Sequence, residues 1–422
     1  MNKLTSKFYL VGIKGTGMSS LAKLLKDLGH VVFGSDTEEY YYTNDILEKN
    51  NIDYCFFNKE NIKSDYVYII SSCYDESNEE VKAIFDNNYE YYYYHNFIEK
   101  NFYNKIGVSG THGKTTTATF LKYLLSDEKV SSLIGDGTGL GIDNYKYFIL
   151  EACEYKKHIL EYNFEYLIVN NIDADHLDYF KDIGEIYDTF KKASEKSKYL
   201  IINEDINIEH TNIYKFGKNK NSYCFYEIIM KNEFGYRLKI IIDKNELEIN
   251  FPFCGEYMIY NFIAALTTYY IITGDLSKIQ KKVNEFKLPN RRMNEYIYNN
   301  NVIIDDYAHH PTEIKALIDA IKQKHKNKRL IVIFQPHTYS RTLKLKNEFQ
   351  KCFDDVDILY LIDTFTSKRE KYSKSLDMEV KEVFNKFYNF DEKLLVKHLS
   401  EEGNVIILLG AGNLDKYLKF II

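Results

Sequence analysis

The sequence contains little proline and cysteine and no tryptophan. Its 422 residues include no tryptophan, only four prolines and six widely scattered cysteines. The cysteines form neither a CxxC pair nor a Cys/His spacing, so the sequence indicates neither a zinc site nor a disulfide framework. A chain of this kind fits a reducing compartment, and we expect it in the cytoplasm.

Long apolar runs and an excess of basic charge are also missing. No uninterrupted apolar stretch approaches the roughly 20 residues of a bilayer-spanning helix, and the polar residues 1–7 lead into Phe8–Val11 without the features of a signal peptide. The net charge is −6, which gives no electrostatic footprint for nucleic acid. We therefore expect a protein without membrane insertion or nucleic-acid partner, either a monomer or a homodimer, that acts on small molecules.

Short runs rich in β-branched or aromatic residues recur along the chain, and most lead through small or polar residues into a stretch of helical period. This alternation is typical of parallel, doubly wound α/β sheets. The runs are too numerous for one sheet. The clearest are Phe8–Val11, Val67–Ile70, Lys105–Val108, Phe148–Leu150, Leu167–Val169, Leu200–Ile202, Val302–Ile304, Leu330–Phe334, Ile358–Ile362 and Val405–Leu409.

Two restarts of this pattern predict an α/β protein of three domains, with residues 1–99, 100–288 and 289–422. A new strand-loop-helix unit begins near Lys105, and the segment 287–290 interrupts a helical stretch before another restart. Between about 211 and 256 the pattern becomes strand-like, with turns expected at Gly217, Gly235 and Lys244-Asn245. We therefore expect an antiparallel excursion within the middle domain.

A first glycine loop follows the first strand and opens an amphipathic helix that ends near Leu28. Its residues suit a phosphate or nucleotide site, although a purely structural tight turn is the alternative. The spacing is GxxGxG rather than GxGxxG, which makes an NAD-dependent oxidoreductase a weaker interpretation. Asp36, after the next strand, is expected to hold a ribose or base edge, or to cap a helix. The candidate residues are Gly12, Gly15, Thr16, Gly17, Met18, Ser35 and Asp36.

A second glycine loop follows the strand at Lys105 and predicts ATP binding. The strict P-loop pattern fails because Val108 stands where a glycine is required, but the GTxGKTT core is intact. Small residues expose backbone N–H groups to phosphate, Lys114 neutralises charge, and the Thr115 hydroxyl reaches Mg²⁺. The candidate residues are Gly110, Thr111, His112, Gly113, Lys114, Thr115 and Thr116.

Polar residues follow two further strands of the middle region. Glu151 and His176 are candidate Mg²⁺ ligands together with Thr115; carboxylate and hydroxyl oxygens suit this hard ion, whereas a histidine ligand is less usual. A surface or structural histidine is the alternative for His176. Glu154, Lys156 and Lys157 are equally compatible with a solvated helix face. The tyrosines at 91–94 belong to a chain-wide excess of that residue, and we assign them no function.

The last third of the chain carries two polar clusters, 305–313 and 334–342, each between a strand and a helix, with Pro311 expected at the first helical position. Arg341 is a candidate clamp for a carboxylate, because a guanidinium binds carboxylates in a bidentate way. His309 is a candidate base, as is either aspartate of the 305–306 pair. Asn261 and Arg292 are candidate nucleotide contacts. The alternatives are a polar residue near a helix N-terminus for Asn261 and a solvated charge for Arg292.

In this order the motifs resemble the Mur ligase family over nearly the whole chain. The resemblance implies a Rossmann-like N-terminal domain that binds a UDP-sugar, a P-loop ATPase-type central domain and a Rossmann-like C-terminal domain that presents the amino acid. His112 is typical of both the alanine-adding and the tripeptide-recycling members, and the segments 307–313 and 334–342 are similar to those of the alanine-adding members. The residue at 338 is threonine where many members carry a second arginine.

By resemblance, Lys114 and Thr115 contact phosphate and Mg²⁺, and Glu151 and His176 bind Mg²⁺. Asn261 lies by the adenine, and His309 and Arg341 line the amino-acid and carboxylate region. The resemblance implies ATP- and Mg²⁺-dependent ligation of L-alanine to the carboxylate of UDP-N-acetylmuramate through an acyl phosphate, in peptidoglycan precursor synthesis. The alternatives are a ligase that recycles a murein tripeptide and a nucleotide-binding protein of the same fold without turnover.

Overall fold

The structure is a computed structural model that describes residues 6–366 and 370–420. The chain forms two compact units. The first unit comprises residues 1–171, 187–216 and 264–275, and the second comprises 172–186, 217–263 and 276–422. Within the described residues, no helix combines the length and apolar character needed to cross a bilayer.

The N-terminal part of the first unit is a five-stranded parallel sheet with strand order β3-β2-β1-β4-β5. The order reverses at β1, so the loop after β1 lies at a topological switch point, where open α/β sheets bind ligands. A 3₁₀ turn covers Lys59–Asn61. The elements are β1 (Lys7–Val11), α1 (Thr16–Asp27), β2 (Val31–Asp36), α2 (Thr43–Lys49), β3 (Tyr54–Phe56), β4 (Val67–Ile70), α3 (Glu79–Asp86), β5 (Tyr91–Tyr93) and α4 (Tyr94–Asn101).

The next strands of the first unit have the order β12-β11-β10-β6-β9-β7-β8, parallel except for the pair β7–β8. Short 3₁₀ helices cover Leu125–Asp127 and Tyr155–Glu161. The elements are β6 (Lys105–Ser109), α5 (Lys114–Leu124), β7 (Val130–Leu133), β8 (Gly139–Leu140), β9 (Tyr147–Glu151), β10 (Phe164–Val169), α6 (Ile183–Glu195), β11 (Ser197–Asn203) and β12 (Ile213–Gly217).

The antiparallel excursion belongs to the second unit, where β13 pairs with β14 and β14 with β15. Gly235 begins β14, and Asp243 and Lys244 make the next turn with left-handed φ angles of 44° and 69°. The predicted turns at Gly235 and Lys244 are thus confirmed. The elements from β13 onward are β13 (Cys224–Asn232), β14 (Gly235–Ile242), β15 (Asn245–Phe251), α7 (Glu256–Thr273), which belongs to the first unit from residue 264 on, and α8 (Ile279–Glu285).

The C-terminal sheet has the order β16-β17-β21-β18-β19-β20 and is parallel apart from the hairpin β16–β17. Buried side chains cover both of its faces, as expected for parallel strands. A 3₁₀ helix covers Asp415–Phe420. The elements are β16 (Asn294–Tyr298), β17 (Asn301–Asp306), α9 (Pro311–Lys324), β18 (Arg329–Phe334), α10 (Tyr339–Lys344), α11 (Lys346–Cys352), β19 (Ile358–Leu361), α12 (Lys374–Glu382), β20 (Tyr388–Asn389), α13 (Glu392–Ser400) and β21 (Asn404–Leu409).

The predicted α/β class is confirmed, and each of the predicted strands forms within a residue or a few of its expected bounds. The tyrosine tract has a definite structural place, because Tyr91–Tyr93 form β5 and Tyr94 begins α4. Sequence composition alone gave no reason to expect a strand there. The two boundaries between the three expected domains remain predictions.

Candidate active site

The first glycine loop connects β1 to α1 and begins with a left-handed residue, Gly12, at φ 86°. The N–H groups of Gly12 and Ile13 both donate to the carbonyl of Ser35, at 2.8 and 3.0 Å. Gly15 is the N-cap of α1 and provides no side-chain cap. The amides of the first turn therefore have no partner within the helix, and they form the kind of site that binds phosphate at a helix N-terminus.

Ser35 and Asp36, predicted as UDP-sugar contacts, are buried and hydrogen-bonded to the protein itself. The hydroxyl of Ser35 donates to Glu80. The carboxylate of Asp36 accepts from the N–H of Lys14 at 2.9 Å, from the N–H of Thr37 at 2.8 Å and from the hydroxyl of Tyr74 at 3.2 Å. These contacts favour a role for Asp36 in holding the glycine loop, and its contact with a sugar or base remains a prediction.

Lys14, which sequence reasoning did not select, is buried within the same loop. Its ammonium group donates to the carbonyls of Thr37 and Glu39, at 2.8 and 2.9 Å. It also lies over the rings of Tyr54 and Phe56, 5.0 and 5.6 Å from their centroids. The side chain thus orders the loop after β2 through charged hydrogen bonds and cation–π contacts.

We expect Lys14→Met to lower the free energy of unfolding by about 2–4 kcal/mol, because two charge-assisted hydrogen bonds are lost and two carbonyls lose their donor. Urea denaturation followed by circular dichroism measures the change. Lys26→Met is the matched control, since Lys26 donates to the carbonyl of Asn51 at the surface, and we expect a change of about 0.5 kcal/mol or less. Equal midpoints for the two variants would contradict a stabilising role for Lys14.

The second glycine loop connects β6 to α5 and has two left-handed glycines, Gly110 at φ 123° and Gly113 at φ 79°. A Cβ at Gly110 would lie 3.0 Å from the backbone nitrogens of Asn170 and Asn171, so this position requires glycine. The loop is anchored by Asn171: its carbonyl accepts from the N–H of Thr111 at 3.1 Å, and its Oδ1 accepts from the N–H of His112 at 2.8 Å.

Gly113 is the N-cap of α5, whose first turn contains Lys114, Thr115 and Thr116. The N–H groups of this first turn have no acceptor within the helix, because no helical turn precedes them. They are therefore available to a phosphate. The backbone geometry predicted for an ATP site is therefore present at the predicted residues. Which ligand these groups bind remains a prediction.

The Lys114 ammonium donates to the carbonyls of Gly110 and Thr111, at 2.6 and 2.9 Å, and it pairs with Glu154 at 3.1 Å. Burial alone lowers the pKa of Lys114, but the carboxylates of Glu154 and Glu151 outweigh it and raise the pKa above its ordinary value. Lys114 therefore keeps its positive charge at neutral pH.

Glu154 is buried rather than part of a solvated helix face. The chain turns sharply after it, because Lys156 and Lys157 adopt left-handed φ angles of 53° and 62°. Two consecutive non-glycine residues in this region are uncommon and carry strain. The sequence shows three charged residues in four positions, which looks like a helix surface; only the fold reveals that Glu154 points to Lys114.

Two of the three predicted Mg²⁺ ligands lie together in the first unit. The Thr115 hydroxyl donates to the carboxylate of Glu151 at 3.0 Å, and the same carboxylate oxygen accepts from the N–H of Gly135 at 2.8 Å. A hydroxyl and a carboxylate beside a phosphate loop form an all-oxygen donor set that fits Mg²⁺.

His176, the third predicted ligand, lies in the second unit and has a left-handed φ of 53°. Its Nε2 lies 3.8 Å from the carboxylate of Asp175. Asp175 is buried, and its carboxylate accepts hydrogen bonds from Nε and Nη2 of Arg341, at 2.9 and 3.3 Å. Burial alone would raise the pKa of Asp175, but Arg341 and two neighbouring histidines hold it well below its usual range.

Arg341 is thus already engaged with a carboxylate that belongs to the protein. Its Nη1 also contacts His337, through the carbonyl oxygen and through Nδ1 at 3.2 Å. The pairing with Asp175 was not predictable from spacing, because 166 residues separate the partners. Contact between Arg341 and a substrate carboxylate remains a prediction. It requires that Arg341 releases Asp175 or binds both carboxylates at once.

His309 follows β17, and Pro311 occupies the first position of α9 as predicted. Nδ1 of His309 faces the carbonyl of Tyr307 at 3.0 Å, so this nitrogen carries the proton and Nε2 is the acceptor. Burial, followed by the charge of Arg341, lowers the pKa of His309 to about 3. His309 is therefore neutral at pH 7 and a weak proton acceptor.

Asp306, the other predicted candidate base, has a pKa raised to about 6 by burial. Its two oxygens accept from the N–H groups of Met293 and Ala308, at 2.7 and 2.8 Å. The carboxylate thus anchors two backbone segments, which favours a structural role. Its elevated pKa is nevertheless closer to neutrality than that of His309, so it is the stronger base of the two.

Arg292 and Asn261 lie in the second unit. The guanidinium of Arg292 lies 5.4 Å from the ring centroid of Tyr307, and Arg291 lies 5.3 Å from the same ring. Arg291 is buried and pairs with Asp305 at 3.4 Å, so only Arg292 keeps a partly exposed position. Asn261 is buried in α7. Their contact with a nucleotide remains a prediction.

The chain matches three descriptions of one family: "Mur ligase family, catalytic domain" over residues 7–102, "Mur ligase middle domain" over 108–269, and "Mur ligase, glutamate ligase domain" over 291–412. A solved UDP-N-acetylmuramate-alanine ligase from Thermotoga maritima is similar at 22% identity and a TM-score of 0.81, with 98% of each chain covered.

Two other solved ligases share this fold. A murein peptide ligase from Psychrobacter arcticus matches at 21% identity and a TM-score of 0.73, covering 99% of this chain and 98% of its own. A MurF ligase from Thermotoga maritima in complex with ADP matches at 15% identity and a TM-score of 0.61, covering 86% of this chain and 96% of its own. With three domain models of one family matched along residues 7–412, this protein belongs to the Mur ligase family of ATP-dependent ligases.

Proposed function

We propose that this protein ligates L-alanine to the carboxylate of UDP-N-acetylmuramate, with cleavage of ATP to ADP and phosphate. The observation that carries the proposal is the group of Lys114, Thr115 and Glu151 at the second glycine loop. Alanine as the acceptor rests on the Gln335–His337 sequence, which resembles the alanine-adding members of the family, whereas His112 is typical of both the alanine-adding and the tripeptide-recycling members.

The phosphate side of the reaction fits the charges of the first unit. The first-turn amides of α5 bind phosphate oxygens, and the cationic Lys114 stabilises the negative charge that spreads over a transferring phosphoryl group. For this contact, the Lys114 ammonium exchanges one of its present acceptors, the carbonyls or Glu154, for phosphate. The Glu154 carboxylate then still attracts the Lys114 ammonium, but it does not fully neutralise its charge.

Thr115 and Glu151 are the residues of the first unit that would hold Mg²⁺ in this proposal. The ion supplies a Lewis acid that reduces the repulsion between two anionic reactants. Gly135 keeps the Glu151 carboxylate in place through its N–H at 2.8 Å. The orientation of the carboxylate is therefore fixed by backbone, which limits the cost of reorganisation.

The chemistry balances in two steps. A carboxylate oxygen of the muramate attacks the γ-phosphorus and ADP leaves; the alanine nitrogen then attacks the acyl carbon, phosphate leaves, and the nitrogen loses a proton. Of the candidate bases, the His309 imidazole offers Nε2 but has a low pKa, and the Asp306 carboxylate has the better pKa but two backbone partners. Exclusion of water protects the acyl phosphate from hydrolysis.

The test is the release of ADP and phosphate by purified protein with UDP-N-acetylmuramate, L-alanine and MgATP. We expect product only when all three substrates are present, and we expect the amide-linked product by mass spectrometry. Glycine and L-serine in place of L-alanine measure the selectivity. If ADP release does not depend on any amino acid, the ligase proposal is wrong.

A ligase that adds a murein tripeptide is the second candidate, favoured by the similarity to the Psychrobacter arcticus murein peptide ligase over 99% of this chain. The same assay compares L-alanine with the tripeptide L-alanyl-γ-D-glutamyl-meso-diaminopimelate at equal concentration. A higher kcat/KM for the tripeptide would replace the first proposal by the second. ATP binding without product from either acceptor would indicate a protein of this fold without turnover.

A further inference from the structure

Tyr94 is the first residue of α4 and lies against the first glycine loop. A Cβ built on Gly17 would stand 3.0 Å from the Tyr94 hydroxyl oxygen and 3.1 Å from Cζ. Gly17 is the second residue of α1, whose first-turn amides form the phosphate site described above. The hydroxyl therefore lies beside the place where this helix end binds an anion.

The surroundings of the Tyr94 hydroxyl favour its neutral form. Burial raises the pKa of Tyr94, and the negative charge of Glu151 raises it further, so the hydroxyl remains protonated at neutral pH. Glu151 in turn accepts from Thr115 of the second glycine loop. Tyr94 thus presents a neutral hydroxyl beside Gly17, at the N-terminal end of α1.

The aromatic ring of Tyr94 contacts His95, which belongs to a pair of stacked histidines. The Tyr94 ring packs edge-on against His95, with 5.0 Å between the ring centroids, and His95 stacks on His158 with 3.9 Å between the centroids. Nδ1 of His95 contacts the hydroxyl of Tyr162 at 2.6 Å. Burial is the main cause that lowers the pKa of His95 to about 3 and of His158 to about 4. Both histidines are therefore uncharged at neutral pH.

The hydroxyl of Tyr94 differs from those of other inward-facing tyrosines in the first unit. Tyr9 donates to Glu80 at 3.0 Å, Tyr68 donates to the carbonyl of Lys63 at 2.6 Å, and Tyr74 donates to Asp36 at 3.2 Å. Among residues 6–366 and 370–420, no group accepts a hydrogen bond from the Tyr94 hydroxyl. Tyr94 therefore presents a positioned donor that the protein itself does not use.

We propose that Tyr94 is a further substrate-binding residue, whose hydroxyl donates a hydrogen bond to a diphosphate oxygen of the UDP-sugar bound at the first glycine loop. The inference rests on the proposed function for the identity of that ligand. A diphosphate is the group that the amides of α1 favour, and an anionic oxygen is a strong acceptor for a neutral hydroxyl. The ring positions the donor, and the hydroxyl makes the contact.

The experiment compares Tyr94→Phe with the unaltered protein by isothermal titration calorimetry. We expect the variant to bind UDP and UDP-N-acetylmuramate about ten-fold more weakly, the scale of one lost hydrogen bond to a charged group. A non-hydrolysable ATP analogue should bind equally to both proteins. Tyr92→Phe is the matched control, because the Tyr92 hydroxyl contacts Glu90 and Lys100 at the surface, and its affinities should not change.

The outcomes separate this inference from the proposed function. If the unaltered protein binds neither UDP compound, the proposed function and the inference both fail. If it binds both and Tyr94→Phe binds them equally well, only the role of Tyr94 is refuted. If the variant loses affinity for UDP-N-acetylmuramate but not for UDP, the hydroxyl contacts the sugar part, and the diphosphate assignment is wrong.

Discussion

Replacing Lys114 by methionine is expected to lower kcat/KM for amide formation by about a thousand-fold or more. Preorganised charges that stabilise a reacting group are worth about 10²–10³ in rate each, and the affinity for ATP falls as well. Steady-state ADP release with all three substrates measures the loss. The variant should still bind UDP-N-acetylmuramate, because Lys114 serves the second glycine loop and not the first.

A confounding effect arises because Lys114 also pairs with the buried Glu154. Lys114→Met leaves that carboxylate without its cation, and breaking one partner of a buried pair is strongly destabilising. The double variant Lys114→Met/Glu154→Gln removes both charges and restores electrical balance. If Lys114 acts on phosphate, the double variant is stable but stays inactive; recovery of activity in the double variant would contradict a direct role.

Glu154→Gln alone completes the comparison. Lys114 keeps its charge and its two carbonyl acceptors at 2.6 and 2.9 Å. We expect activity to fall far less than in Lys114→Met, because the phosphate-binding cation remains. Loss of activity equal to that of Lys114→Met would show that Glu154 does more than hold the lysine.

The main lines of the fold and the two glycine loops were predictable because they depend on local sequence. Apolar runs such as Leu330–Phe334 encode buried parallel strands, and a glycine before Lys-Thr encodes a helix start that binds phosphate. Gly110 shows the same principle at a single residue: a left-handed backbone near Asn170 excludes any side chain. These features need only a few neighbouring residues to be recognised.

The partners of the charged residues were not predictable, because they come from distant parts of the chain. Glu154 pairs with Lys114, which lies 40 residues earlier in the chain on a different element. Lys14 stood in a glycine loop, where a lysine suggests a phosphate contact, yet its ammonium binds backbone carbonyls. The use of Tyr94 depends on its distance from Gly17, which no periodicity in residues 91–94 reveals.

The second large effect is expected at the buried pair of Asp175 and Arg341. Asp175→Asn should lower the free energy of unfolding of the second unit by about 3–5 kcal/mol, because it leaves a buried guanidinium without its counter-charge. Both side chains are less than a tenth exposed, at 8% and 7%. Urea denaturation at neutral pH measures the difference from the unaltered protein.

The matched control is Glu248→Gln, at another arginine–carboxylate pair of the second unit. Arg237 donates Nε and Nη2 to Glu248 at 3.2 and 2.7 Å, but these side chains are 51% and 43% exposed. Exposed pairs contribute about 0–1 kcal/mol, so we expect a small change. Similar midpoints for Asp175→Asn and Glu248→Gln would contradict a stabilising role for the buried pair.

The pH dependence has a defined sign. Since Arg341 holds the pKa of Asp175 well below its usual range in the folded state, the stability from this carboxylate is present above the unfolded pKa, about 3.9. It is lost as the pH falls towards the folded pKa. The deficit of Asp175→Asn should therefore be constant from neutral pH to about pH 5 and shrink below about pH 4. A deficit that does not change in acid would mean that the pKa of Asp175 is not depressed.

A double variant connects the pair to catalysis. Asp175→Leu/Arg341→Met replaces both charges by apolar groups of similar volume, and such exchanges are often neutral or stabilising. We expect the double variant to recover most of the stability lost in Asp175→Asn. If Arg341 also binds a substrate carboxylate, the stable double variant stays inactive and its KM for that substrate rises. If it regains normal kcat and KM, Arg341 serves only to hold Asp175 and the segment around it, and the substrate clamp must be sought elsewhere.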